Sequence, residues 1–460
     1  MMPVVQAFNR SVIAEIALDD AQALEIKLAS ALRMTRDRDA WLKPHQRSAI
    51  LLRTAGLLET RQAHFATLIA MEGGKPIADA AVEVLRAIDG LRNAADELRH
   101  FAGREIPMGL TSASEGRWAF TTKEPIGVVA AISAFNHPLN LIVHQVAPAV
   151  AVGCPVIIKP ATATPLSCLE LVALFREAGL DEPWCQTFVT DDNALAERLA
   201  TDPRVSFLSF IGSARVGWQL RSKLPPGTRC ALEHGGAAPV IVDRSANLDK
   251  IIKPIAKGGY YHAGQVCVST QRIFVHTDIL ADFVDKFATH VQSLRVGDPL
   301  LPETEVGPLI TAREADRVTS WIGEAASAGA RVIGGGSLSE TTLIPAILLD
   351  PPGDVKLSQL EVFGPVTCVY GFQEIGQAIE TANSLPFAFQ ASVFSTDIGP
   401  AMQAAHRLDA SAVMINDHTA FRTDWMPFAG RRQSGYGIGG IPWSMREMSQ
   451  DKMIVLMHDD

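Results

Sequence analysis

Hydrophobic positions change their rhythm once along this chain, near residue 126. From about residue 21 to residue 101, apolar residues recur at three- and four-residue intervals with charges between them, over 21–32, 44–72 and 77–101. That period gathers apolar side chains on one face of a helix, so the stretch predicts long helices packed against a neighbouring layer. Beyond it, apolar runs of four to eight residues rich in Val and Ile alternate with amphipathic segments. The runs predict strands over 126–132, 155–159, 187–190, 205–211 and 229–233, with helices between them at 138–152, 165–178, 194–201 and 213–223. Short, continuously apolar strands separated by helices indicate a parallel sheet covered on both faces. A second series follows at 239–242, 273–276, 331–333, 366–370, 391–394 and 412–416, and Gly235-Gly236 marks the boundary between the two.

The length of 460 residues allows about two or three domains. A net charge of -9 argues against nucleic acid or an anionic membrane as the main partner, while leaving room for a dinucleotide. The apolar stretches are too short or too broken by Pro and Gly to span a membrane, and the N-terminus lacks a signal-peptide pattern. The 6 cysteines contain no Cys-x-x-Cys pair and the 12 histidines no ligand spacing, which predicts a reduced, cytoplasmic protein without a metal. Gly435-Tyr-Gly-Ile-Gly-Gly440 matches the spacing of a dinucleotide fingerprint. It follows a loop rather than a strand, so it reads as a glycine-rich turn.

Three places carry candidate chemistry. Cys267, in Gly264-Gln-Val-Cys267, is by itself an ordinary apolar thiol, although the glycines around it permit a turn that exposes the sulfur. Glu233, in Leu232-Glu-His-Gly-Gly236, is either a solvated strand-end carboxylate or a general base with room beside it for a ligand. Asn136, after the strand at 126–132, is either a turn residue or an amide able to donate to an oxyanion. Spacing alone does not choose between these pairs of readings.

The order of the motifs does choose. Glu124-Pro-Ile-Gly-Val-Val, Phe135-Asn136, Lys159-Pro160, Phe210-Ile-Gly-Ser213, Leu232-Glu-His-Gly-Gly236, Gly264-Gln-Val-Cys267, Glu361-Val-Phe-Gly-Pro365 and Met426-Pro-Phe-Ala-Gly430 appear in sequence over nearly the whole chain. Together they closely resemble the aldehyde dehydrogenase superfamily. The resemblance implies an α/β fold with a Rossmann-like dinucleotide-binding domain (1–110 and 124–235), an α/β catalytic domain (236–447) and a small β oligomerisation extension (111–123 and 448–460). It implies NAD- or NADP-dependent oxidation of an aldehyde to a carboxylic acid. In it Cys267 is the nucleophile, Asn136 the oxyanion donor, and Glu233 the base that hydrolyses the thioester. Lys159, Thr162, Gly212, Ser213, Gly217, Glu361 and Phe363 become the cofactor contacts, and a homodimer or homotetramer is expected.

Departures from the family pattern bear on specificity. Thr162 stands where many members have a glutamate that would repel a 2′-phosphate, so NADP is expected to be tolerated. His234 replaces a leucine and either tunes Glu233 or points away along the strand; alternation of side chains favours the second. The N-terminus is expected to lack the strand material that members carry before the first helix. The Phe-Asn-His-Pro element and the tail after Ile415 resemble the branch acting on lactaldehyde, phosphonoacetaldehyde and other small polar or anionic aldehydes. His137, Arg86 and Arg422 are the candidate contacts for an anionic group, and Val266 precedes the nucleophile. Two rivals stay open: a CoA-acylating enzyme, which needs no Glu233, and a cysteine hydrolase pairing Cys267 with a histidine such as His262.

Overall fold

The computed structural model describes residues 1–458; residues 459 and 460, the last two of the segment expected to complete the extension, lie outside the described residues. Two sheets dominate. In the first, the strands run in the order Gly435–Tyr436, Arg229–Glu233, Val205–Ile211, Val128–Ile132, Val156–Lys159 and Cys185–Thr187. The last five are parallel, and Gly435–Tyr436 joins the edge antiparallel to Arg229–Glu233. Both faces are covered. The helices Pro44–Glu59, Gln62–Gly73, Ile77–Glu97, Asn140–Val152 and Leu166–Glu177 bury one face, and Ala21–Arg36 with Asn193–Thr201 and Ala214–Arg221 bury the other. This double cover is why the strands carry apolar residues on consecutive positions.

The second sheet has the order Arg331–Gly334, Ala346–Leu349, Val366–Phe372, Thr270–His276, Ala238–Val242, Gln390–Phe394 and Ala412–Ile415, all parallel except the first pair. A third, three-stranded antiparallel sheet consists of Ser449–Met457, Arg117–Pro125 and Glu105–Ile106. Among the described residues no helix is long and apolar enough to cross a membrane.

Two expectations are corrected. Residues 44–72 form two helices, Pro44–Glu59 and Gln62–Gly73, because the backbone leaves helical geometry at Arg61 (φ −117°, ψ 20°). No Gly or Pro marks that break. The N-terminus does carry strands: Met2–Val5 pairs with Val12–Ile16 as an antiparallel hairpin, turning through Arg10 at φ 61°. Val4 is its one fully buried strand residue, so the segment lacks the run of apolar positions that would reveal it.

Two buried glutamates lock the helical layer to the first sheet's crossover helices. Glu72 accepts from the backbone N–H of Leu166 (2.7 Å) and Ser167 (3.0 Å), and Glu83 from Leu139 and Asn140, both at 3.0 Å. Each carboxylate thus satisfies orphan N–H groups at a helix start that has no side-chain cap of its own. Lys75, itself fully buried, pairs with Glu83 and offsets its charge.

Candidate active site

The cleft forms where the C-terminal ends of the first sheet's strands face the N-terminal ends of the second sheet's strands. Asn136 follows the strand ending at Ile132, Lys159 and Glu233 are the last residues of theirs, and Cys267 lies just before Thr270. Open α/β sheets bind ligands outside such strand ends.

The loop that carries Cys267 is held tightly. His262, Ala263 and Gly264 take left-handed conformations in succession (φ 49°, 54° and 72°). A Cβ on Gly264 would fall 2.1 Å from Gly364 O, so only glycine passes there. The Gln265 side chain donates to His262 O and Pro308 O, both at 3.2 Å, and accepts from Ile310 N–H at 3.0 Å. Gln265 O in turn accepts from Asn136 Nδ2 at 2.9 Å. That bond crosses between the two sheets and sets the amide beside the Cys267 loop.

Cys267 is partly exposed within an apolar wall of Val266, Val268, Phe389 and Phe428. Burial in that wall pushes its thiol up to about 12, with the charges of Glu233 and Glu361 acting the same way and Arg422 opposing them. The carboxyl of Glu233 is also raised by burial, again against the pull of Arg422. Gly439 allows Glu233 its place: a Cβ there would sit 2.0 Å from Glu233 Oε1. The glycine run 435–440 therefore starts as the edge strand Gly435–Tyr436 and continues as a loop beside the carboxylate. His234 points the other way. Its Nδ1 donates to Gly212 O at 2.9 Å, and its ring lies edge-on to Phe210 and Trp218 above Gly217, where a Cβ would meet Cε1 at 2.0 Å.

Of the residues expected to hold a dinucleotide, Gly212 donates its N–H to Glu233 O at 3.0 Å and Glu361 lies against Gly235-Gly236. Among the described residues the buried Lys159 makes one hydrogen bond, to Pro160 O at 3.3 Å, and burial lowers its pKa against the opposing charge of Asp191. Thr162 is exposed nearby in sequence, and Gly212 and Ser213 lead into the helix Ala214–Arg221. Glu361 Oε1 accepts from Gly236 N–H at 3.2 Å, and burial pushes its carboxyl up to about 8. A Cβ on Gly235 would lie 1.6 Å from that oxygen. Phe363, at φ 49°, sets its ring edge-on to Phe135 at 5.8 Å. An unpaired buried ammonium, a glycine-lined strand end and a desolvated carboxylate suit a phosphate- and ribose-bearing ligand.

The candidate anion contacts separate. His137 accepts from Lys75 Nζ through Nδ1 at 2.7 Å, and burial together with the Lys75 charge pushes it down to about 4, so it is neutral. Arg86 gives Nε and Nη2 to Asp424 at 3.2 and 2.8 Å. Arg422 is different. It faces Glu233 and Cys267 electrostatically, stacks on Phe428 at 3.5 Å, and leaves its buried Nε without a protein partner. Sequence reasoning missed His144, Asn140, Gln265 and Asp424. A signal existed for two of them: Asn140–Val152 is buried throughout, and polar residues in such a helix must have partners.

Residues 1–454 match the model of the aldehyde dehydrogenase family. The chain belongs to that family. It is an oxidoreductase acting on aldehydes. It is 37% identical over 459 residues to a 3-sulfolactaldehyde dehydrogenase of Priestia aryabhattai, covering 99% of this chain and 94% of that protein. Its fold superposes on aldehyde dehydrogenase 21 from Physcomitrella patens in complex with the reaction product succinate, with a TM-score of 0.96 at 30% identity, covering 99% of this chain and 95% of that one. It also superposes on glyceraldehyde-3-phosphate dehydrogenase GapN from Methanocaldococcus jannaschii complexed with NADP (TM-score 0.95, 31% identity, 99% of each chain).

Proposed function

We propose that this aldehyde dehydrogenase oxidises a small polar or anionic aldehyde to its acid through Cys267, with hydrolytic rather than CoA-dependent turnover. The observation that carries the reading is the meeting of Asn136, Glu233 and the Cys267 loop across the two sheets, tied by the Asn136 to Gln265 bond. The partly exposed Cys267 thiol gives its proton to water as Sγ bonds to the aldehyde carbon and the carbonyl π bond breaks onto oxygen. The oxygen of the thiohemiacetal is held by Asn136 Nδ2 and the Cys267 backbone N–H, groups already fixed before substrate arrives. Lys159, Thr162, Gly212, Ser213, Gly217, Glu361 and Phe363 would hold NAD or NADP, which would supply the hydride acceptor needed to convert the thiohemiacetal into a thioester on Sγ. Glu233 then takes a proton from water as its oxygen attacks that carbonyl, and the sulfur departs as the acid forms.

The raised pKa of Glu233 makes it a better proton acceptor than a solvated carboxylate, which supports hydrolysis over transfer to CoA. The absence of a carboxylate at 162 supports acceptance of NADP, and Arg215, exposed in the first turn of the helix after Gly212-Ser213, adds a cation on that side. The exposed Trp118, Met453, Val455 and Leu456 on the three-stranded sheet support a homo-oligomer built through it. Aldehyde-dependent formation of NADPH or NADH without CoA, abolished by Cys267→Ala with dinucleotide binding retained, is the expected result. Turnover that requires CoA, or a Cys267→Ala variant that still oxidises aldehyde, would refute it.

A further inference from the structure

Gly212 opens the turn that leads into the helix Ala214–Arg221, and its neighbour dictates that it be glycine. A Cβ there would fall 2.9 Å from Cζ of the buried Phe210 ring. Glycine has the most backbone freedom to lose, so holding such a turn in one conformation carries an entropic cost. Two consecutive residues at the end of one strand nevertheless fix both polar groups of Gly212. Its N–H donates to Glu233 O at 3.0 Å, and its carbonyl accepts from His234 Nδ1 at 2.9 Å.

His234 is itself firmly set. Its backbone N–H donates to Ser434 O at 3.0 Å, and its buried ring stands edge-on to Phe210 and Trp218 with centroids 5.8 and 5.9 Å away. The ring also fills the space against Gly217, where a Cβ would meet Cε1 at 2.0 Å. A carbonyl only accepts, so Nδ1 carries the proton. Among the described residues the buried Nε2 has no partner, and burial lowers the pKa of the ring, so the imidazole is neutral with its lone pair on Nε2.

The consequence falls on the helix start. Ser213 is the N-cap residue and makes no side-chain cap bond. Its hydroxyl and the first N–H groups of the helix are therefore donors suited to an anion. A carbonyl turned toward the same anion would oppose it, and the bond from His234 holds the Gly212 carbonyl toward the strand end instead.

We propose that His234 is a positioning residue for the dinucleotide: its Nδ1–H fixes the Gly212 carbonyl and so preorganises the Gly212-Ser213 turn for a diphosphate. This rests on the reading that the turn receives NAD or NADP, and it gives the imidazole a part in cofactor affinity separate from the chemistry of Glu233.

The test measures calorimetric Kd for NAD, NADP and ADP-ribose on the intact protein, together with KM and kcat. ADP-ribose carries the diphosphate without the nicotinamide, so its binding reports on the turn apart from turnover. His234→Leu should raise Kd for all three, and KM for the dinucleotides, by about tenfold, with kcat within about threefold of the parent. His234→Asn, whose Nδ2 takes the place of Nδ1, should stay within about threefold of the parent Kd. Kd values unmoved by His234→Leu, an equal loss in His234→Asn, or a loss confined to kcat would overturn the positioning role. If His234→Leu does not fold, His234→Gln, whose amide lies one bond further out, replaces it, and a Kd equal to that of His234→Asn overturns the proposal. Ser213→Glu tests the underlying reading, because a carboxylate at the turn should weaken all three ligands by about a hundredfold. Unchanged binding in Ser213→Glu would place the diphosphate elsewhere and overturn both readings, whereas a loss there with none in His234→Leu would overturn the role of His234 alone.

Discussion

The cofactor-free Cys267 is expected to be a slow thiol, and the structure says by how much. Its pKa stands at about 12 against an ordinary value of 9.0. At pH 8 the thiolate fraction is then about 10⁻⁴, against about 10⁻¹ for the ordinary thiol, a deficit of roughly a thousandfold. Part of that is recovered because a more basic thiolate attacks faster. With a Brønsted slope of about 0.4–0.5, three pKa units return roughly 15- to 30-fold. The net expectation is a rate about one to two orders of magnitude below that of an unperturbed thiol at pH 8, before any loss from restricted access. The rate should climb about tenfold per pH unit with no plateau up to pH 10. Arg422→Gln should slow it further, since that guanidinium opposes the shift. The assay is reaction with a dipyridyl disulfide followed by absorbance, with Cys267→Ala as the blank for the five buried cysteines. A plateau below pH 9, or a rate at pH 7 equal to that of free cysteine, would sink the argument that burial governs this sulfur.

Three further outcomes are expected. Gly439→Ala places a methyl group 2.0 Å from Glu233 Oε1, so deacylation should fall by about tenfold or more; stopped-flow should still show a burst of reduced dinucleotide, and a loss of burst instead would place the damage elsewhere. Thr162→Glu should cut kcat/KM for NADP by about tenfold while sparing NAD, and equal losses for both would remove Thr162 from cofactor choice. Asp424 is pushed up by burial, but the His144 hydrogen bond and the charges of Arg86 and Arg422 outweigh this and hold it below the usual carboxylate range. Its contribution to stability is therefore present above its unfolded pKa near 4 and lost as pH falls through the lower folded value. Asp424→Asn should cost about 3–5 kcal/mol at pH 7 and flatten that acid slope, as read from denaturant unfolding between pH 3 and 7.

The sequence by itself determined the layers and the parallel sheets, and it pointed to Cys267, Glu233 and Asn136 as the candidates for chemistry. Strands covered on both faces must be apolar on consecutive positions, and amphipathic helices must show their 3.6-residue period, so both are legible locally. The order of short motifs carried Cys267, Glu233 and Asn136, none of which its own surroundings would have singled out. Local pattern failed where the deciding partner is distant in the chain. Local pattern also failed at two nearby points: no Gly or Pro marks the break after Glu59, and the N-terminal hairpin has too few buried positions to be seen. Only the tertiary structure decided that His234 turns toward Gly212, that His137 and Arg86 are already engaged, and that His144 meets both Arg422 and Asp424. His144 and Asp424 are 280 residues apart. A hydrogen bond depends on distance and angle, and no periodicity along the chain encodes either for residues brought together only by the packing of two sheets.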